Sequence, residues 1–242
     1  MANPVKVVEK LECKNRLLAE LPADEYNRVR QHLTFIDLTQ GEILFHPETP
    51  LEYVYFPETA VLSYVFNTED GVALEVGTVG RNGLAGVSVA LDTFRTPNAV
   101  EVLIGGAALR MSAHRLRSQM NLGGALPAML YRYAQATIVH SGQMQVCGRL
   151  HSPAERLAGW LLLIYNLNPP RMLPLTHEAI GQMLGVRRSG VTEVANQLRT
   201  QGLITYSRGQ IAICDREALT DFACKCVRVI SDEYERVFKA QH

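Results

Sequence analysis

The sequence predicts an α+β chain in three parts: short strands forming an antiparallel sandwich or barrel, a long helix, and a pair of short helices followed by a β-hairpin. Three observations predict this. Between Leu33 and Met111, short β-rich runs alternate with turn signals. From Ala125 to His151, apolar residues recur at three- and four-residue steps. From Leu175 to Ile213 the chain reads LTHEAIGQMLGVRRSGVTEVANQLRTQGLITYSRGQIAI, where helical periodicity breaks at a Gly, resumes, and then gives way to alternation.

Residues Asn15 to His32 read as helical, with Leu17, Leu18 and Leu21 before Pro22 and a polar continuation. The strand region follows as FIDLTQGEILF, YVYFPETAVLSYVF, VALEVGTVG, AVEVLIG and AALRMS. Gly41 and Asp70-Gly71 punctuate hairpins, and the near-regular strand spacing points to a jelly roll. The long helix carries Leu126, Met129, Leu130, Tyr133, Thr137, His140, Met144 and Cys147 as one stripe. Such a stripe between two parts of a chain is expected to pack on a two-fold mate; packing on its own β-layer is the alternative.

Ser152-Pro153-Ala154-Glu155 is a capping box with proline at the first helical position, opening a helix over Ala154 to Asn166. Asn168-Pro169-Pro170 leads on to the last part. There Thr176 caps a helix whose apolar face is Ala179, Ile180, Met183 and Leu184, and Gly185 supplies the left-handed turn that ends it. Val186 follows as the apolar turn residue, and Val191, Val194 and Leu198 form the buried stripe of the next helix. Its outer face presents Arg187, Arg188, Ser189, Thr192, Glu193 and Asn196. Strands over Leu203–Tyr206 and Gln210–Ile213 enclose a Ser207-Arg208-Gly209 turn, and Asp215 caps a final helix over Glu217 to Phe238. The expected division is 1–124, a β-roll with its N-terminal helix; 125–151, the long helix; and 152–242, a winged helix-turn-helix with an extra helix.

Side chains of the outer-face types hydrogen-bond base edges and phosphates of duplex DNA. Arg187, Arg188, Ser189, Thr192, Glu193 and Asn196 are the candidate base-facing set; Thr176, His177 and Arg208 are candidate phosphate contacts. The formal net charge is +0, so general attraction to a polyanion is weak. Contacts must be concentrated locally, and from Leu175 to Ile213 four arginines face two glutamates.

No run of roughly 18 uncharged apolar residues occurs, so no membrane span is expected. The N-terminus MANPVKVVEKLECKNRLL lacks a secretory core. The five cysteines are scattered and odd in number, which fits a reducing compartment. A cytoplasmic protein follows as the expectation. Cys224-Lys225-Cys226, placed on a helix where residues two apart diverge, reads as two buried small residues flanking a lysine. There is no His-x-His pair and no nucleophile elbow, and Gly80-Arg81-Asn82-Gly83 reads as a turn. No catalytic residue, metal ligand or cofactor is assigned. A jelly-roll enzyme with an accessory helical part is the alternative from another class.

This order of parts resembles the Crp/Fnr superfamily of transcription regulators. The match is most specific in THEAIGQMLGVRRSGVTEV, with GEILF and EDGVALEVGTVGRNGLAG as weaker β-roll signatures. The resemblance implies a cyclic-nucleotide-binding-like roll, a homodimer on double-stranded DNA, contact with RNA polymerase and a small-molecule effector, with no enzyme activity. It places Gly83, Leu84, Arg95, Asn98 and Ser141 at the effector pocket. In cyclic-AMP-binding members a glutamate stands at the position of Leu84, and an Arg-Ser pair at Pro97-Asn98. Cyclic AMP is therefore not the expected effector; Arg95, two residues before that pair on a loop, could substitute only if the register shifts. A constitutive regulator with no ligand is a further alternative. Iron–sulfur members need clustered N-terminal cysteines, where this chain offers Cys13. The resemblance also aligns Arg188 with a guanine-reading arginine, Ser189 with a glutamate and Glu193 with a second arginine.

Overall fold

The computed structural model describes residues 13–167 and 172–239. The Asn168-Pro169-Pro170 connection and most of the stretch read for a leader lie outside them.

The N-terminal helical region is two helices, α1 (Arg16–Ala19) and α2 (Ala23–Arg30), rather than one. Pro22 stands at the start of α2 with an extended ψ of 149°, because it has no N–H to continue the preceding helix. Asn15 fastens α1 to the sheets, its Nδ2 donating to the carbonyls of Pro57 and Gly83, both at 2.9 Å. Seven strands follow: β1 (Thr34–Leu38), β2 (Ile43–Phe45), β3 (Tyr53–Pro57), β4 (Val61–Asn67), β5 (Ala73–Val79), β6 (Ala99–Ile104) and β7 (Gly106–Ser112). They form two antiparallel sheets, ordered β1-β7-β3 and β2-β6-β4-β5. Asp70-Gly71 does turn the β4–β5 hairpin. Gly41 does not make a hairpin: β1 and β2 pair with different partners, and its φ of 83° turns the chain from one sheet to the other. A short 3-10 helix, Val87–Leu91, and α3 (Ala113–Met120) close the roll.

The long helix α4 runs from Ala125 to Leu150. The buried carboxylate of Glu25 accepts from the N–H groups of Ala125 at 2.7 Å and Leu126 at 3.0 Å, satisfying two orphan donors at its start. The expected stripe is buried at Leu126, Met129, Leu130, Tyr133, His140 and Cys147, all against the chain's own sheets and C-terminal helix. The exposed apolar residues are on another face: Tyr131, Ile138, Val146 and Leu150.

At α5 (Pro153–Leu167) the capping box forms in both directions. Ser152 N–H donates to Glu155 Oε2 at 2.8 Å, and Glu155 N–H to Ser152 Oγ at 3.3 Å. After β8 (Leu173–Pro174) come α6 (His177–Leu184), α7 (Arg188–Thr200), β9 (Ile204–Ser207) and β10 (Gln210–Ile213), the strands ordered β8-β10-β9. The expected last helix is broken into α8 (Arg216–Phe222) and α9 (Cys226–Phe238) by the extended Ala223, whose ψ is 150°. Asp215 caps α8 as expected, accepting from Ala218 N–H at 2.9 Å.

The C-terminal part shares its core with the roll, for Val61, Leu103 and Ile104 pack among the residues of α5, α6 and α7. Glu75 on β5 bridges the two parts. Trp160 Nε1 donates to its Oε1 at 2.6 Å and Ser63 Oγ to its Oε2 at 2.9 Å. Burial pushes the Glu75 carboxyl up to about 8 from an ordinary 4.5.

Because the folded value lies above the unfolded one, stability is lost as pH rises from 4.5 towards 8: the unfolded chain ionises while the folded chain holds its proton. Glu75→Gln cannot ionise, so its advantage over wild type is expected to grow across that window to about 2–5 kcal/mol and then level off. Paired denaturant unfolding at several pH values measures this. A difference that does not change with pH means Glu75 ionises normally.

Candidate DNA interface and effector cavity

The helix-turn-helix is built on local signals. Thr176 Oγ1 accepts from Ala179 N–H at 3.1 Å, and Gly185, at φ 69°, ends α6 in the left-handed conformation. Gly185 faces Leu74 of the roll, since an added Cβ meets Leu74 Cδ2 at 3.5 Å. Val191, Val194, Ala195 and Leu198 are buried along α7 and fix its rotation. That rotation leaves Arg188, Ser189, Thr192, Glu193 and Asn196 exposed, with Arg187 exposed at the N-cap rather than within the helix. Thr192 Oγ1 donates to Arg188 O at 3.3 Å, so its hydroxyl is held along the helix axis.

The wing turn is the two residues Arg208 and Gly209, with β9 reaching one residue further than the alternation predicts. Both have positive φ, 49° and 73°, the pattern that matches the twist of a two-residue hairpin. Glycine adopts this freely; arginine does not, and its place at the exposed tip spends conformational energy on presenting a cation there. The rings of His177 and Tyr206 meet at 5.1 Å, joining the start of α6 to the wing. The candidate phosphate contacts thus lie at the start of α6 and at the wing tip, and the base-facing set lies along α7.

The effector candidates divide. Leu84, Asn98 and Ser141 line a cavity of about 210 Å³ between β5, the 3-10 helix and α4. Gly83 lines a neighbouring cavity of about 280 Å³. An added Cβ at Gly83 runs into the ring of Tyr133, so only glycine fits there. Arg95 is a correction: it is exposed on its loop and lines neither cavity. Leu84 is fully buried, an apolar wall where the resemblance puts a ribose-holding carboxylate.

Tyr133, His140 and Tyr234 line both cavities, and the sequence reading assigned none of them to the pocket. His140 Nδ1 lies 3.1 Å from Tyr234 Oη, and the Tyr133 and Tyr234 rings are 5.9 Å apart. The seven-residue spacing of Tyr133 and His140 put them on one face; nothing local to Tyr234 marked it. Burial lowers His140 to about 4, so the ring is neutral at pH 7. The smaller cavity has no arginine or lysine in its wall. In the larger one, Arg16 is paired with Glu235 at 2.6 Å, and Arg216 donates to Asn166 Oδ1 at 3.1 Å. Asn82 Oδ1, in the wall of that cavity, is buried without a hydrogen-bond partner.

Cys13, the N-terminal cysteine, is buried and donates to Glu58 Oε1 at 3.4 Å; burial and the Glu58 charge push its thiol up to about 12. Cys224 and Cys226 do not lie on one continuous helix. They flank the start of α9, and Cys147 and His151 of α4 lie beside them. This cluster is separate from the cavities and the reader face.

A two-sheet roll holding a cavity, a long helix and a winged helix-turn-helix form a fold shared with solved structures of Crp/Fnr-type proteins. Residues 155–222 match the Crp-like helix-turn-helix domain. FixK2 from Bradyrhizobium japonicum superposes with a TM-score of 0.68 at 20% identity, over 79% of this chain and 98% of that one. A protein assigned to the Crp/Fnr family from Eubacterium rectale gives 0.66 at 16% identity, covering 86% and 98%. The c-di-GMP-responsive global regulator CLP of Xanthomonas campestris gives 0.62 at 15%, covering 80% and 100%. No curated protein sequence matches. No helix among the described residues is long and apolar enough to cross a membrane.

His140 is expected to stay neutral well below the usual histidine range. Its imidazole resonances in an NMR titration should hold steady from pH 8 to 5 and move with a midpoint of about 4. A midpoint near the ordinary 6.5 would show that water reaches the ring.

Proposed function

We propose that this protein is a sequence-specific, homodimeric DNA-binding transcription regulator of the Crp/Fnr type, and not an enzyme. The observation that carries this reading is the outer face of α7 on a Crp-like helix-turn-helix: a polar, arginine-led surface left uncovered by the roll. Two such helices enter successive major grooves about 34 Å apart on a pseudo-palindromic operator. Arg188 spans guanine O6 and N7, and Glu193 accepts from cytosine N4. Thr176, His177 and Arg208 hold phosphates. RNA polymerase is the protein partner that the family resemblance implies, and the cytoplasm is its place of action. The working division is 1–124 as sensor, 125–151 as dimer helix and 152–242 as reader.

The effector is a small molecule held between β5, α4 and α9. Three features support this: the adjoining cavities, their shared Tyr133, His140 and Tyr234, and the unpartnered Asn82 acceptor. Cyclic AMP fits poorly, since Leu84 replaces a ribose acceptor and Arg95 is exposed outside both cavities. Binding shifts the population between two dimer geometries.

Selection from random duplex DNA, with and without cell metabolites, tests the reading. A palindrome with one guanine per half-site is expected. Arg188→Ala should cost about 1–3 kcal/mol on that site and relax the preference at the guanine. Arg208→Ala should weaken all sequences alike and flatten the salt dependence. Normal operator binding by Arg188→Ala would mean the base-reading face is wrongly assigned.

The dimer uses the exposed face of α4, on which Ile138 is 63% and Leu150 74% exposed. Ile138→Glu is expected to convert a dimer to a monomer in sedimentation and to lower operator affinity at least tenfold, roughly the effect of losing 1.4 kcal/mol. Chain stability should change by no more than about 0.5 kcal/mol. An unshifted dimer places the interface elsewhere.

A further inference from the structure

Four metal-ligating side chains converge where α4 ends and α9 begins. Cys147, His151, Cys224 and Cys226 each offer one ligand atom, and those atoms all lie within 4.8 Å of one another. Cys147 lies in the last turn of α4, and His151, four residues on, is its extended C-cap, whose N–H donates to Cys147 O at 3.1 Å. Cys224 and Cys226 reach the same point because the chain is not helical between Phe222 and Cys226. In a continuous helix their side chains would diverge; across the break both turn to α4. Close packing of α9 on α5 completes the site, for a Cβ added at Gly159 would meet Val227 Cγ2 at 2.5 Å and Cys224 Sγ at 3.7 Å.

We infer that these four residues form a closed, tetrahedral Cys3His site for a single zinc ion. The spacing fits. Zn–S bonds of about 2.3 Å and Zn–N bonds of about 2.0–2.1 Å set tetrahedral edges of about 3.8 Å between sulfurs and about 3.6 Å between sulfur and nitrogen. Cys147 Sγ lies 3.4 Å from Cys224 Sγ, and Cys226 Sγ 3.6 Å from His151 Nδ1. An iron–sulfur cluster needs its cysteines set wider apart to admit several irons and sulfides. Three soft sulfurs and an imidazole exclude magnesium and calcium, which take oxygen ligands. The three cysteines are buried, and no water-exchangeable fourth position is left, so the ion is structural rather than catalytic.

The surroundings suit thiolates. Gln143 Nε2 donates to Cys226 Sγ at 3.1 Å, an outer hydrogen bond of the kind that orients a ligand. Binding releases the thiol protons still present and replaces them with one divalent charge. The ion ties the end of the long helix to the segment between α8 and α9, beside the start of α5, and so sets the angle of the reader on its lever.

Metal analysis of the full chain, purified under reducing conditions without chelator, is expected to give one zinc per chain. Replacing zinc by Co2+ is expected to give sulfur-to-cobalt charge-transfer bands and the visible bands of a tetrahedral ion. Cys147→Ser, Cys224→Ser and Cys226→Ser should each lower retained zinc at least tenfold, while Cys214→Ser, whose cysteine is exposed and outside the cluster, keeps it. His151→Ala serves as the second variant where a buried cysteine change unfolds the chain, since His151 is only half-buried. Three results each overturn the site: zinc below about a tenth of an ion per wild-type chain with no cobalt bands; retention by Cys224→Ser; or a Cys147–Cys224 disulfide in the freshly purified protein. None of these readouts depends on DNA binding, so failure here leaves the reading of α7 standing, and the reverse.

Discussion

One constraint organises the molecule: a single helix, α4, must bury one face along nearly its whole length. At 1.5 Å per residue its 26 residues span about 39 Å. Leu126, Met129 and Leu130 join the roll's core near its start, Tyr133 and His140 wall the cavities at its middle, and Cys147 meets the α9 cysteines near its end. Glu25 pins its first turn and Arg132 holds the Val237 carbonyl of α9 at 2.9 Å. A helix committed on one face in this way acts as a lever whose ends belong to different parts of the chain.

The roll and the C-terminal part are also joined in other ways. The core around α5, α6 and α7 includes residues of β4 and β6, and the Glu75–Trp160 bond crosses between them. Gln40 Nε2 donates to Leu103 O at 3.0 Å and to Pro174 O at 2.8 Å, stitching the roll to β8 beside the helix-turn-helix. Tyr234 of α9 lines both cavities, and Val227 of the same helix packs on Gly159 of α5, so α9 touches the cavities at one point and the C-terminal part at another.

What was legible in the sequence was local. The capping box at Ser152, the Thr176 cap, the Gly185 stop and the buried stripe of α7 are short-range hydrogen-bond and steric facts, and each formed as read, while the wing turn formed one residue shorter, with Ser207 paired in β9. What failed was long-range. Gly41 looks like a hairpin residue, but strand pairing is decided by partners far away, and β1 and β2 part company there. Both faces of α4 carry apolar residues, so periodicity found a stripe without saying what covers it. Helical periodicity runs through Ala223 because the break is made by packing against α5 and α4, not by a glycine or proline. The C-x-C pair and the C-x3-H pair lie more than seventy residues apart, so their meeting could not be read from either alone.

The start of α7 has a consequence for how the protein is completed. Arg187 occupies its N-cap and makes no side-chain cap hydrogen bond, in contrast to the capped starts of α6 and α8. The first-turn N–H groups and the positive end of the helix dipole sit beside two exposed guanidinium groups. A phosphate oxygen is the group best suited to close such a turn. In the regulator proposed here, the nucleic acid therefore supplies the cap that the polypeptide omits.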